Sequence, residues 1–207
     1  SAGPVSEATL PSDGRAARAA RTRDSIVDAS IALVEAGDVR PTAPRIAARA
    51  GVSVRSVFQH FDDLPSLHTA VVQRVVERLS LLVVAVDPAL SLDARIDAFA
   101  RYRAALLEAV TPFRRAAAVH GPFAPEIQIA VAQGNVFLRC DVEVTFGAEL
   151  NGLPPSERRE LLDALAATSS WGMWDSLRAD AEDSAEEAQA VLRRTLRALL
   201  AGLPPAM

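Results

Sequence analysis

The run from Ile46 to Phe61, IAARAGVSVRSVFQHF, constrains the fold of this chain more tightly than any other segment. Ile46, Ala47 and Ala50 recur at helical spacing and mark one buried stripe. Gly51 follows directly, where a helix that ends in the left-handed region needs a residue without a Cβ. Val52 is placed to plug the turn, and Ser53 to cap a second helix that runs to Phe61. That helix turns Val57 and Phe61 inward and leaves Val54, Arg55, Ser56, Gln59 and His60 toward solvent or a partner. Two short helices joined so tightly have the layout of a helix-turn-helix. In that motif the second helix enters the major groove with its N-terminal residues at the base edges.

The flanking sequence reads as further helices. Residues 1–14 are rich in Gly, Pro and Ser and are expected to be disordered. Arg15, Arg18, Arg21 and Arg23 precede or begin the first helix; they read either as an arm toward phosphate or the minor groove, or as a solvated helix start. That helix runs to about Ala36 with Ile26, Val27, Ser30, Ile31, Leu33 and Val34 as its buried stripe, and Gly37 stops it. Pro41 and Thr42 open the next helix, Thr42 as its N-cap and, with the free amides nearby, as a holder of phosphate.

Asp63 and Pro65 begin a long helix expected over about 64–86, whose apolar second half, LSLLVVAV, calls for enclosure by other helices. A second long helix is expected over about 91–110. Pro112 should break it, leaving a short helix, FRRAAAV, that ends at His120-Gly121-Pro122. Pro125 and Glu126 suit another start. Val142 to Phe146 alternates like a strand, but one such run in a helical chain reads better as helix. Past the Asn151-Gly152 and Pro154-Pro155 stops, Ser156 is expected to cap a helix to about Ala179. Ser184 and Glu187 then form a capping box for the last one.

Composition agrees with an all-α protein. Half of the 207 residues are hydrophobic but only 5% are aromatic, so the apolar content is mostly aliphatic and small. The single cysteine, Cys140, excludes an internal disulfide framework and fits a reducing cytoplasm. No uncharged apolar run is long enough for a membrane span. The net charge of −4 is unevenly spread: residues 1–60 carry eight Arg against six acids, and the remainder is acidic. All 22 basic residues are Arg, a uniformity across the whole chain that is not specific to one site.

From Arg21 to about Val75 the chain resembles the DNA-binding domain of the TetR family of one-component bacterial regulators. The family's run I-A-x-x-A-G-V-S-x-x-T-L-Y-x-H-F is matched by Ile46-Ala47-x-x-Ala50-Gly51-Val52-Ser53-x-x-Ser56-Val57-Phe58-x-His60-Phe61. The resemblance implies a three-helix head at 15–62 and a helical ligand-binding and dimerisation body at 63–207. It implies a homodimeric repressor of operator DNA, paired through its two C-terminal helices and released by a small, apolar effector. The DNA-binding candidates are Arg15, Arg18, Thr42, Arg45, Ser53, Val54, Arg55, Ser56, Phe58, Gln59 and His60. Two positions depart from the family. Phe58 replaces a Tyr and Leu64 replaces a Lys, and losing that cation lowers the salt slope of DNA binding by about one unit. Arg55, where the family often has Gly, offers a contact to phosphate or guanine in return.

Catalytic chemistry has no foothold in the sequence. His60, His68 and His120 have no metal-ligand spacing among themselves or with Cys140, and no cofactor is implied. There is no phosphate-cradling glycine loop and no nucleophile elbow. His68 reads as a surface residue and His120 as a loop residue. Outside the head, Trp171 and Trp174 share a helical face around Gly172, which would let another group approach closely. With Phe99, Tyr102, Phe113 and Phe137 they are the candidate lining of an apolar ligand site, against the plainer reading of core packing. The rivals to a ligand-released repressor are a regulator of the same fold controlled by a protein partner, and a small helical enzyme acting on hydrophobic substrates.

Overall fold

The computed structural model describes residues 12–120 and 124–201, and every regular element among them is helical. The head comprises α1 (Ser12–Glu35), α2 (Ala43–Ala50) and α3 (Val54–His60). Of the segment expected to be disordered, 1–11 lie outside the described residues, and the backbone from Ser12 is already helical. Both glycine stops occur. Gly37 (φ +92°) donates to Val34 O and Asp38 to Leu33 O; Gly51 (φ +69°) donates to Ala48 O and Val52 to Ala47 O. Each pair satisfies carbonyls that the helix end leaves open. Ile26, Val27, Ala29 and Ile31 of α1 pack on Ile46, Ala47, Val57 and Phe61, and Leu67, Ala70 and Val75 of the helix that follows the head complete the cluster. The apolar core under the head therefore extends beyond residue 62.

The helix α4 (Leu64–Ser80) opens with a reciprocal cap between Asp63 and Ser66. It stops at Ser80, not near 86, and Leu81 and Val84 are exposed. Val83, Val84 and Val86 are β-branched, and Pro88 drives Asp87 away from helical backbone, so local preference there is extended. Among the described residues the enclosure expected of LSLLVVAV is confined to its two ends: Leu79 and Val86 pack on the body core, while Leu81, Leu82, Val83 and Val84 are exposed.

The opposite correction applies to α5 (Leu92–His120), which passes through Pro112 without a break. A proline removes one helical hydrogen bond, and packing on both sides outweighs that loss. Phe99 and Leu106 lie in the body core before it; Phe113 and Ala116 are held against α4 and the head after it. FRRAAAV is thus the end of α5, and Gly121 and Pro122 lie outside the described residues.

The rest of the body is α6 (Pro125–Thr145), α7 (Gly147–Asn151), α8 (Pro155–Thr168), α9 (Trp171–Asp175) and α10 (Ala185–Leu200). Val142 to Thr145 is helical. Pro154, not Ser156, sits at the N-cap of α8, and no side chain caps it. The single helix expected to Ala179 is cut at Ser169 and Ser170, then continues through α9 into a π-helical turn, Ser176–Asp180. Buried Arg103 causes the cut: its Nη1 donates to Ser169 O at 2.9 Å, while Ser170 Oγ accepts from Met173 N and restarts the helix. The capping box of Ser184 and Glu187 on α10 forms as expected.

Buried arginines organise the body. Arg95 pairs with Glu149 and donates to Thr145 O. Arg103 pairs with Asp141 at 2.7 Å and lies over the Phe99 ring. Tyr102 Oη donates to the same Asp141 oxygen at 2.7 Å, and burial together with that carboxylate pushes the Tyr102 phenol well above its usual range.

Candidate nucleic-acid interface and the cavity behind it

The second helix of the turn presents the face expected of it. Ser53 Oγ accepts from Ser56 N at 3.1 Å, closing the first turn of α3. Val57 and Phe61 are buried, whereas Val54, Arg55, Phe58 and Gln59 are exposed and Ser56 and His60 half-buried. Arg15 and Arg18 are exposed on the first turns of α1. Thr42 occupies the N-cap of α2 with extended backbone, but its hydroxyl makes no cap hydrogen bond. Arg45 is exposed and paired with Asp38 at 2.9 Å. Arg23, read as part of a basic arm, lies instead over the Phe61 ring at 4.7 Å.

Charge pairing sharpens this face. The α1 acids Asp24, Asp28 and Glu35 are met by Arg74 and Arg78 of α4. Among the described residues, Arg15, Arg18, Arg21, Arg49 and Arg55 have no acidic partner. The head therefore keeps a surplus of free guanidinium groups, the kind of group that binds phosphate and guanine bidentately.

The six aromatic ligand candidates do not converge. Phe99 and Tyr102 pack with Phe146 in the body core, and Phe137 is exposed on α6. Trp174 is buried with its Nε1 donating to Glu108 Oε1 at 2.7 Å, and Trp171 Nε1 donates to Thr111 Oγ1. Burial alone would push the Glu108 carboxyl up, but hydrogen bonds from Arg178 and Trp174 outweigh it and hold the group below the usual range. Gly172 is exposed, and nothing lies nearer to a Cβ built there than Ser170 Oγ at 3.9 Å, so no close approach requires it.

Only Phe113 of the six lines the main apolar cavity, a space of about 210 Å³ between head and body. Ser30, Val34 and Ile46 of the head form one wall; Val71, Phe113 and Val131 of α4, α5 and α6 belong to the other. His68 and His120 also line it. Their ring centroids are 5.6 Å apart, and His68 Nδ1 lies 3.2 Å from Glu126 Oε1. Burial pushes His120 below the usual histidine range, aided by neighbouring His68, while a hydrogen bond to the Val39 backbone opposes the shift. The sequence reading left both histidines out of the site. A usable signal was present: His68, Val71, Val72 and Val75 recur at helical spacing, so the imidazole belongs to an apolar stripe. Among the described residues, no group of three His, Cys, Asp or Glu is placed to hold a metal ion.

The apolar stripes of the last helices are used inside the chain. Leu162 and Leu165 of α8 and Leu192, Leu196 and Leu200 of α10 join Phe99 and Phe146 in the body core. The outward face of α10 carries Glu186, Glu187, Arg194 and Arg197. Among the described residues, no helix is long and apolar enough to cross a membrane.

No family model and no curated protein matches the chain. Two solved structures resemble it over 89% of its length and 97% of theirs. One, from Mesorhizobium loti MAFF303099, is named for the TetR family of transcriptional regulators; it shares 21% identity at a TM-score of 0.66. The other is a transcriptional regulator from Rhodococcus sp. Rha1, with 18% identity and a TM-score of 0.61. At these identities the likeness shows a shared fold and no more: a helix-turn-helix head on an all-helical body.

Proposed function

We propose that this chain is a sequence-specific, DNA-binding transcriptional regulator, a homodimeric repressor that a small apolar effector releases from its operator. The observation that carries the reading is the exposed face of α3, with unpaired Arg55 behind the Ser53 cap. In this reading residues 15–62 bind DNA and 63–207 bind effector and partner. Arg55, Ser56 and Gln59 read base edges, while Arg15, Arg18, Thr42, Arg45 and His60 address phosphates. Two copies, paired through the outward faces of α8 and α10, place their reading helices in half-sites one or more helical turns apart.

The cavity supports effector control because head and body residues share its walls. A ligand there contacts both units and favours the relative placement that fits it, which need not be the placement that fits DNA. A regulator governed only by a protein partner needs no such cavity. The enzyme reading finds no support in the side chains around the cavity, since Ser30, the hydroxyl of its described lining, donates to Ile26 O at 3.0 Å and to neither histidine.

The test is a salt titration of binding to the duplex upstream of the chain's own gene, against a scrambled duplex. Preference for the native duplex, lost in Arg55→Ala while the helical content is unchanged, is the expected result. Equal binding to both duplexes, with Arg55→Ala indistinguishable from the unmodified protein, overturns it.

A further inference from the structure

We propose that the cavity between head and body is selective for a neutral ligand carrying one hydroxyl donor, such as a small alkylphenol, which His68 and His120 receive as acceptors. The inference rests on the effector reading of the cavity and specifies the chemistry of the ligand. Its size comes from the space. A cavity of about 150 Å³ holds a benzene, so about 210 Å³ holds roughly eight to ten non-hydrogen atoms. The walls are almost wholly aliphatic or aromatic, which demands an apolar body.

The donor requirement follows from how the two imidazoles are tied. A neutral imidazole has one N–H and one acceptor nitrogen. His68 directs Nδ1 at Glu126, and a carboxylate can only accept, so Nδ1 carries a proton and, in the neutral ring, Nε2 is the acceptor. His120 gives its proton to the Val39 backbone, which likewise leaves its second nitrogen as an acceptor. Two such nitrogens on rings 5.6 Å apart offer a hydroxyl a partner and offer a carboxylate nothing. Glu126 beside them disfavours an anion further. Arg114 also lines the cavity and has no carboxylate partner among the described residues; one N–H goes to Asn135 Oδ1 at 2.9 Å and its guanidinium lies over the Trp171 ring, so the benzoate arm of the experiment below measures its pull on an anion.

The charged groups around His120 are His68 on α4, Glu126 on α6, and Asp38 and Arg40 from the α1–α2 connection. Burial holds His120 neutral to a lower pH than an ordinary histidine. His120 therefore accepts at neutral pH, and loses that role as pH falls below the usual histidine range.

The experiment compares 4-ethylphenol with 4-ethylanisole, ethylbenzene and 4-ethylbenzoate, by calorimetry on the full chain near neutral pH. The expected result is that 4-ethylphenol binds about tenfold more tightly than the ether and the hydrocarbon, the worth of one satisfied hydrogen bond. His68→Leu and His120→Phe should each shrink that ratio. The ligand ranking on the unmodified protein stands whether or not the variants fold. Equal affinity for phenol, ether and hydrocarbon overturns the donor rule while leaving an apolar effector site in place. Tightest binding by 4-ethylbenzoate overturns it in favour of an anion site. Failure of all four to bind removes the donor rule together with the cavity's role as an effector site.

Discussion

The head and the body of this molecule are held by different kinds of interaction. In the head, the helix ends are set locally: the glycine stops at Gly37 and Gly51 and the Ser53 cap all act within five residues of themselves. In the body, the decisive contacts are long-range. Arg103 reaches Asp141 and Ser169, Arg95 reaches Glu149, and Trp174 and Arg178 converge on Glu108. Local devices act through backbone conformation and contribute about 1 kcal/mol each, whereas a buried charge left without its partner costs several times more. The head should therefore respond to single substitutions gently and the body sharply.

The largest expected effect tests the body. Arg103 is fully buried, and Arg103→Ala strands the Asp141 carboxylate together with the carbonyls of Leu138 and Ser169. The expected loss is about 3–5 kcal/mol in denaturant unfolding. Arg103→Met combined with Asp141→Asn should recover part of it, because the amide oxygen still accepts from Tyr102 and no charge is left unpaired. A loss below that of the head substitutions would break the contrast between the two units.

Gly51→Ala is the corresponding test of the head. Nothing lies within 4 Å of a Cβ built at Gly51, so crowding does not contribute and only the left-handed backbone at φ +69° is penalised. The expected cost is about 1–2 kcal/mol, read from the urea midpoint. A larger cost than Arg103→Ala would mean that the turn between α2 and α3 carries more than backbone strain.

Legibility in the sequence follows the same division. Gly37, Gly51 and Ser53 mark the ends of α1, α2 and α3 because each acts through its immediate neighbours, and the Ser184 box marks α10 for the same reason. Pro112 and Ser169 were misread because their outcome is set elsewhere: by the packing of Phe113 and Ala116 beneath the head, and by a guanidinium that arrives from α5. The candidate site divides likewise. The reading face of α3 follows from helical spacing within seven residues. The cavity draws on α1, α2, α4, α5 and α6, so aromatic content could not separate Phe113, which lines it, from core Phe99 or exposed Phe137.

The smallest expected effect lies within the head, where two residues of the same sequence class sit at the same kind of position. Ser53 and Thr42 both occupy an N-cap with extended backbone, but only Ser53 accepts a hydrogen bond from its helix. Ser53→Ala should cost about 1 kcal/mol, because it uncovers the Ser56 amide. Thr42→Ala should change stability by less than about 0.5 kcal/mol, since the exposed hydroxyl supports nothing in the free protein. Operator binding separates the two in the other sense. If the Thr42 hydroxyl is kept free for a phosphate, Thr42→Ala weakens native and scrambled duplexes alike while the unfolding midpoint stays in place. A Thr42→Ala protein with unchanged stability and unchanged DNA affinity would remove Thr42 from the interface and leave the N-terminal arm and α3 to carry the contact.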